Sequence, residues 1–343
     1  MKINPLLLIA IWLTSGVALA HHSTLGFFDP DQTIEIEGVL TELSWSNPHV
    51  RFEVDVTNED GAVESWYVET SALSVLRSRG LHQNFMQIGD RIRISGAPSR
   101  RGEPEMNGRT VLLADGTEVI MALSGSPYFT DPATGNLLNP VFSADIEERA
   151  RLNADGIFRV WSAVLRDPDS FPMFKGNYPL TEEAAAIKAA WNPTADDLLR
   201  CWEKGMPMLM ITPVPLEFVR DGEDIRIRFE EDDAERLIHM SPSAANASGE
   251  STHLGFSTGR WEGDTLVVRT TDISASEFDD RGTPQTPAIE LEERFLVSDD
   301  GDRLDYRLLI SDPGTFTQDF ELTRYWIWRP EIVVGRWDCE NPE

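Results

Sequence analysis

Apolar and polar positions alternate along much of this chain. Ile34 and Ile36 alternate with Glu35 and Glu37, and beyond Gly38 the apolar phase passes to Val39, Leu43 and Trp45. A period of two predicts a half-buried strand, and a glycine at the phase change predicts a bulge that bends a long strand round a barrel corner. Val50, Phe52, Val54 and Val56 keep the same period, and Asn58-Glu59-Asp60-Gly61 predicts a turn into a third strand over AVESWYVET. SALSVLRSRGL predicts one short helix ending at Gly80, and DRIRISGAPS and TVLLADGTEVIMA supply two further strands. Three strands, a helix and two strands is the order of an OB-fold, a five-stranded Greek-key barrel.

The periodicity then lapses. From 124 to 200 the chain is rich in turn-forming residues, as in SGSPYFTDPATGNLLNP, with one clear helix over LTEEAAAIKAAW. Thr181 caps that helix, and Glu182 and Glu183 suit its positive end. Alternation returns after Cys201 in DIRIRFEE, ERLIHMS, LGFSTGRWEGDTLVVRTTDI, IELEERFLVSDDGDRLDYRLLISDP and FELTRYWIWRP. Turns at Glu262-Gly263-Asp264 and Asp299-Asp300-Gly301-Asp302 join neighbouring strands at hairpin spacing. About eight strands without a helical interruption predict a larger antiparallel up-and-down barrel or a strongly bent sheet. Such a barrel either holds a small apolar ligand or is filled by its own side chains. The predicted fold class is mainly β.

The first twenty residues change where this protein is expected to work. Lys2, the apolar run from Pro5 to Val17 and the small-x-small Ala18-Leu19-Ala20 read as a signal peptide whose removal leaves His21 first. The expectation is a periplasmic or secreted protein with no integral membrane span after cleavage. Its organisation is a leader over 1–20, an OB-like barrel over 21–123, a loop-and-helix linker over 124–200 and the larger barrel over 201–343. The chain carries 58 acidic against 30 basic residues, a net charge of −28. Such a surface repels nucleic acid and anionic lipid. From His21 to Ala122 there are 16 acidic and 8 basic residues, the wrong sign for the single-strand binding that OB barrels often perform. Cys201 and Cys339 are the two cysteines, and in an oxidising compartment they predict one disulfide. It would close a loop of about 137 residues, stabilising by about 4 to 5 kcal/mol in the chain-entropy treatment.

The motifs HHS after the leader, WSNPHV, and GAPSRRGEPEMNGRTVLLADG resemble an uncharacterised family of secreted bacterial proteins with an OB-like domain. GFSTGRWEGDTLVVRTTDI, EERF and a late cysteine resemble a second uncharacterised secreted β family. Neither resemblance implies an activity. In the second family a histidine is expected after the Gly-x-Pro of RGTPQT, where this chain has Gln285.

Candidate chemistry centres on histidine. A chain that begins at His21 offers an α-amino group and an imidazole to one metal ion, and a second histidine completes a nitrogen set that suits copper. His49, beside Asn47-Pro48, is the candidate second arm, and His22 can add a donor, with Asp29 or Asp31 as oxygen ligands. Two histidines after a leader also fit a plain polar terminus. His82, His239 and His253 stand alone in the sequence. Arg260, Trp261, Glu262 and Asp264 in GRWEGD, with Glu293 and Arg294 after Glu292, are weaker candidates for acid–base work at a barrel mouth. No nucleophile elbow, phosphate loop or dinucleotide fingerprint is present. The sequence therefore points to an exported binding protein with a copper site. The alternatives are a hydrolase or lyase acting in the second barrel, and a structural envelope module.

Overall fold

The structure is a computed structural model and describes residues 24–122, 126–131, 148, 151–152, 154–164, 167, 170, 178–192, 203–241, 243 and 250–337. The leader, His21, His22, Cys201 and Cys339 lie outside the described residues, and the signal-peptide and disulfide expectations with them.

The alternating segments of the first region form β1 (Ile34–Ser44), β2 (Arg51–Thr57), β3 (Val63–Glu69), β4 (Arg91–Pro98) and β5 (Glu105–Leu112). They pair in the order β3-β2-β1-β4-β5, and a parallel β3–β5 pairing, with Tyr67 opposite Glu105, closes the five-stranded ring. β6 (Glu118–Ile120) extends the β5 edge. Leu40, Phe52, Val54, Val68, Ile94 and Met106 fill the barrel, and Leu76 reaches them from the helix Leu73–Ser78. That helix stops where expected, with Gly80 at a φ of +72°. Trp45 and Trp66 pack against this core, as their phase predicts.

The bend in β1 is not where the glycine predicts it. Ile36, Gly38 and Leu40 all face inward and Val39 outward, so the phase runs straight through Gly38. The register shifts between Leu40 and Glu42 instead, which returns Leu43 to the core side. Gly38 answers a different need: a Cβ there would stand 2.4 Å from the Asp55 carbonyl oxygen on β2.

Glu118 fastens the start of the linker to this barrel. It is fully buried, and its carboxylate accepts from the backbone N–H groups of Tyr128, Phe129 and Thr130 and from the Thr130 hydroxyl at 2.6–3.2 Å. Burial acts to raise its pKa, but these donors outweigh burial and hold the carboxyl below its ordinary value. Because the folded pKa is the lower one, the stabilisation is present above the unfolded value of about 4.3 and is lost as pH falls through the folded value. Glu118→Gln is therefore expected to lower stability at pH 7 by about 1.5–3 kcal/mol. The gap from the unmutated protein should close as melting is followed down to acid pH, and a gap independent of pH contradicts this role.

The second barrel has nine strands: β7 (Val160–Ser162), β8 (Leu216–Asp221), β9 (Asp224–Phe229), β10 (Glu235–His239), β11 (Phe256–Glu262), β12 (Thr265–Thr271), β13 (Glu290–Val297), β14 (Arg303–Ser311) and β15 (Phe320–Trp328). Two features depart from the sequence reading. β10 and β11 are parallel, with Ile238 opposite Ser257, so the ring is not purely up-and-down. The chain that leaves β10 must return to the same end before β11 begins. And β7 comes from the segment read as linker, pairing with β15 on one side and β8 on the other. Three residues are too few to show a period, but Trp161 within them is wholly buried and donates from Nε1 to the Ile157 carbonyl at 2.9 Å. The predicted helix forms over Glu182–Ala190, with the Thr181 hydroxyl accepting from Ala184 N at 3.2 Å.

Candidate functional site

His49 stands just before β2, after the buried Asn47. Asn47 accepts from Leu73 N at 2.9 Å and donates to the Arg336 carbonyl at 3.1 Å. The WSNPHV motif thus ties the first barrel's helix to the C-terminal segment and sets the position of His49. The His49 ring pairs Nδ1 with the Thr70 carbonyl at 2.6 Å, and since a carbonyl can only accept, Nδ1 donates. Nε2 lies 3.7 Å from Glu69 Oε1, a buried oxygen with no hydrogen-bond partner among the described residues. Burial pushes the Glu69 carboxyl up, opposed by His49 and Arg51. Glu69 and Tyr67 share the face of β3 turned away from the core residue Val68.

The first described turn, Thr24–Phe27, belongs to the same neighbourhood. The Arg101 guanidinium lies 4.8 Å from the Phe27 ring centroid and binds Glu105 at 2.8 Å, and Glu105 is opposite Tyr67. Asp29 instead receives Arg100 and Gln32. Among the described residues no three His, Cys, Asp or Glu side chains gather in a metal-binding group. His49 and Glu69 are two.

Of the four weaker candidates, Glu262 and Arg294 are brought together and Glu293 is not. Glu262 on β11 accepts from Arg260 at 2.7 Å and Arg294 at 2.6 Å in an exposed ion-paired trio, which draws its carboxyl below the ordinary range. Asp264 lies on the hairpin turn beside them. Glu293, next to Arg294 in sequence, points the other way, into the barrel. Arg260 and Trp261 do line a cavity of about 300 Å³, with Phe158, Arg220, Asp224 and Met240, where the β8–β9 hairpin meets β10 and β11. His239 pairs with Asp224 at 3.3 Å and stacks on Phe256, and His253 lies 3.4 Å from Glu203.

Inside the second barrel lies a polar network that the sequence reading missed except for Glu293. Arg236 on β10 binds both Glu293 oxygens, donates to the Ser257 hydroxyl at 2.9 Å and the Thr270 hydroxyl at 2.7 Å, and is itself buried. Tyr306 donates to Glu293 Oε1 at 2.8 Å; burial and the Glu293 charge raise its hydroxyl pKa well above normal. Gln285, where a histidine was expected, donates from Nε2 to the Met206 and Ala275 carbonyls, both at 2.9 Å, and serves as a buried brace. The network was detectable. Glu293 alternates with Leu291 and Phe295, Tyr306 with Leu304 and Leu308, and Arg324 with Leu322 and Trp326, so each polar group stands on an apolar phase.

No curated protein matches the chain. The profile of a family of unknown function (DUF6152) matches residues 10–108, which take in β1 to β4 and the first half of β5. The first barrel is thus similar to an uncharacterised family, and that similarity brings no activity with it.

Proposed function

We propose that this is an exported binding protein that takes up a copper ion through the α-amino group and imidazole of a processed His21 and through His49, with His22 close by. The observation that carries this reading is the set of the His49 ring. Metal-ligating histidines characteristically give one ring N–H to a backbone carbonyl, which fixes the tautomer and aims the other nitrogen at the metal. His49 makes that contact with Thr70 and turns Nε2 toward the Glu69 carboxyl group at 3.7 Å. The enzyme reading has less support, because Glu262 and Glu293 are both committed to arginines.

The test is copper(II) titration of protein whose N-terminus is verified as His21, followed by electron paramagnetic resonance. One equivalent with nitrogen hyperfine structure is expected. His49→Ala should weaken binding at least about tenfold, as should one extra residue placed before His21. Binding indifferent to both changes would reduce the two leading histidines to a polar tail.

A further inference from the structure

Arg324 sits at the centre of β15 on the face that also carries Leu322 and Trp326, and is 3% exposed. Its Nη1 donates to the Met210 carbonyl at 2.5 Å. Its Nε and Nη2 are buried with no hydrogen-bond partner among the described residues. Its guanidinium lies 4.3 Å from the Trp326 ring centroid, and its cross-strand neighbour is Tyr306. Tyr306 gives its hydroxyl hydrogen to Glu293, and Glu293 is already held by both arms of Arg236.

Among the described residues, three charged side chains are buried on the strands of this barrel: Arg236, Glu293 and Arg324. Arg236 and Glu293 neutralise each other, so one positive charge is left without a counter-ion. A buried charge in that position is strongly unfavourable unless something anionic joins it. The Nε and Nη2 hydrogens lie along one edge of the guanidinium, the edge that grips a carboxylate side-on. Arg93, Arg220 and Arg260 each use that same pair of nitrogens on a carboxylate, of Glu35, Asp155 and Glu262 respectively. In Arg324 the edge is turned into an apolar interior.

We infer that Arg324 anchors a site for an organic monocarboxylate inside the second barrel, its carboxylate held by Nε and Nη2 and its apolar part lying among the surrounding aromatic side chains. One uncompensated charge selects a monoanion, the paired N–H groups select a planar carboxylate over a spherical ion, and the lining selects an apolar body. Entry displaces the buried segment Met206–Ile211, which touches Arg324 through Met210. Its three methionines are flexible enough to repack around a guest.

Calorimetric titration of the processed full-length chain tests this, with sodium octanoate, sodium butyrate, 1-octanol and sodium chloride as probes. Octanoate is expected to bind one per chain, with octanol at least about tenfold weaker. Arg324→Met should remove the preference for octanoate over octanol while its melting temperature stays level or rises, since an unpaired buried charge has gone. Arg324→Lys, which keeps the charge and loses the fork, should bind octanoate more weakly than the unmutated protein. Failure of both carboxylates to bind, undiminished octanoate binding by Arg324→Met, or chloride binding as tight as octanoate each overturns the assignment.

Discussion

Arg236→Leu is expected to lower the stability of the second barrel by about 3–5 kcal/mol. Among the described residues Arg236 is the one cation that binds Glu293, so the substitution leaves a carboxylate at 0% exposure facing a leucine. It also strips donors from the Ser257 and Thr270 hydroxyls, which keep each other at 3.1 Å and the long Thr270 contact to Glu293 Oε2 at 3.4 Å. Glu293→Leu alone should be damaging for the mirror reason, since it strands a guanidinium and the Tyr306 hydroxyl. The double replacement should recover most of the loss, because two leucines demand no hydrogen bonds in a core otherwise built of Phe295, Leu266 and Val268. Urea unfolding followed by circular dichroism measures all three variants as one cycle. Three nearly additive losses would mean that the pair is not coupled, and the picture of a self-neutralised network would fail.

Trp161→Ala should lose about as much, roughly 3–5 kcal/mol, although it lies in a segment with the composition of a linker. The indole is wholly buried in the barrel core and donates its N–H to Ile157, so truncation opens a large void and removes one of the two hydrogen bonds that the Ile157 carbonyl accepts. The strand it belongs to is also the closure, since β15 and β8 are joined only through β7. Trp261→Ala is the control. That side chain is 45% exposed, and its removal should change stability by no more than about 0.5 kcal/mol. Equal losses at the two tryptophans would show that Val160–Ser162 is not an integral strand.

The site was partly legible and partly not. His49 was singled out from its neighbours in the sequence, yet what makes it a candidate ligand is the Thr70 carbonyl, 21 positions away, and the buried Glu69. Glu262, Asp264, Glu293 and Arg294 looked like one constellation because they sit on neighbouring hairpin strands. A strand sends successive side chains to opposite faces, so Glu293 and Arg294 could never serve the same site. Had the alternation been followed through Arg236, Tyr306 and Arg324, the inward charges would have been visible as polar groups on apolar phases. Which of them pair would not.

That division has a physical origin. What depends on local spacing is written in the residues themselves: the alternating strands, the helix stopped at Gly80, the helix capped by Thr181, the turns at Gly61, Gly263 and Gly301, and a mainly β fold in two barrels. These follow from backbone sterics and the two-residue period, which act over a few neighbours. The parallel β10–β11 seam, the recruitment of β7, and the meeting of Arg236 with Glu293 across 57 positions come from long-range closure instead. A barrel closes by choosing registers among distant strands, and a charge is neutralised or left alone according to that choice. Arg236 found its counter-ion in this way, and Arg324 did not.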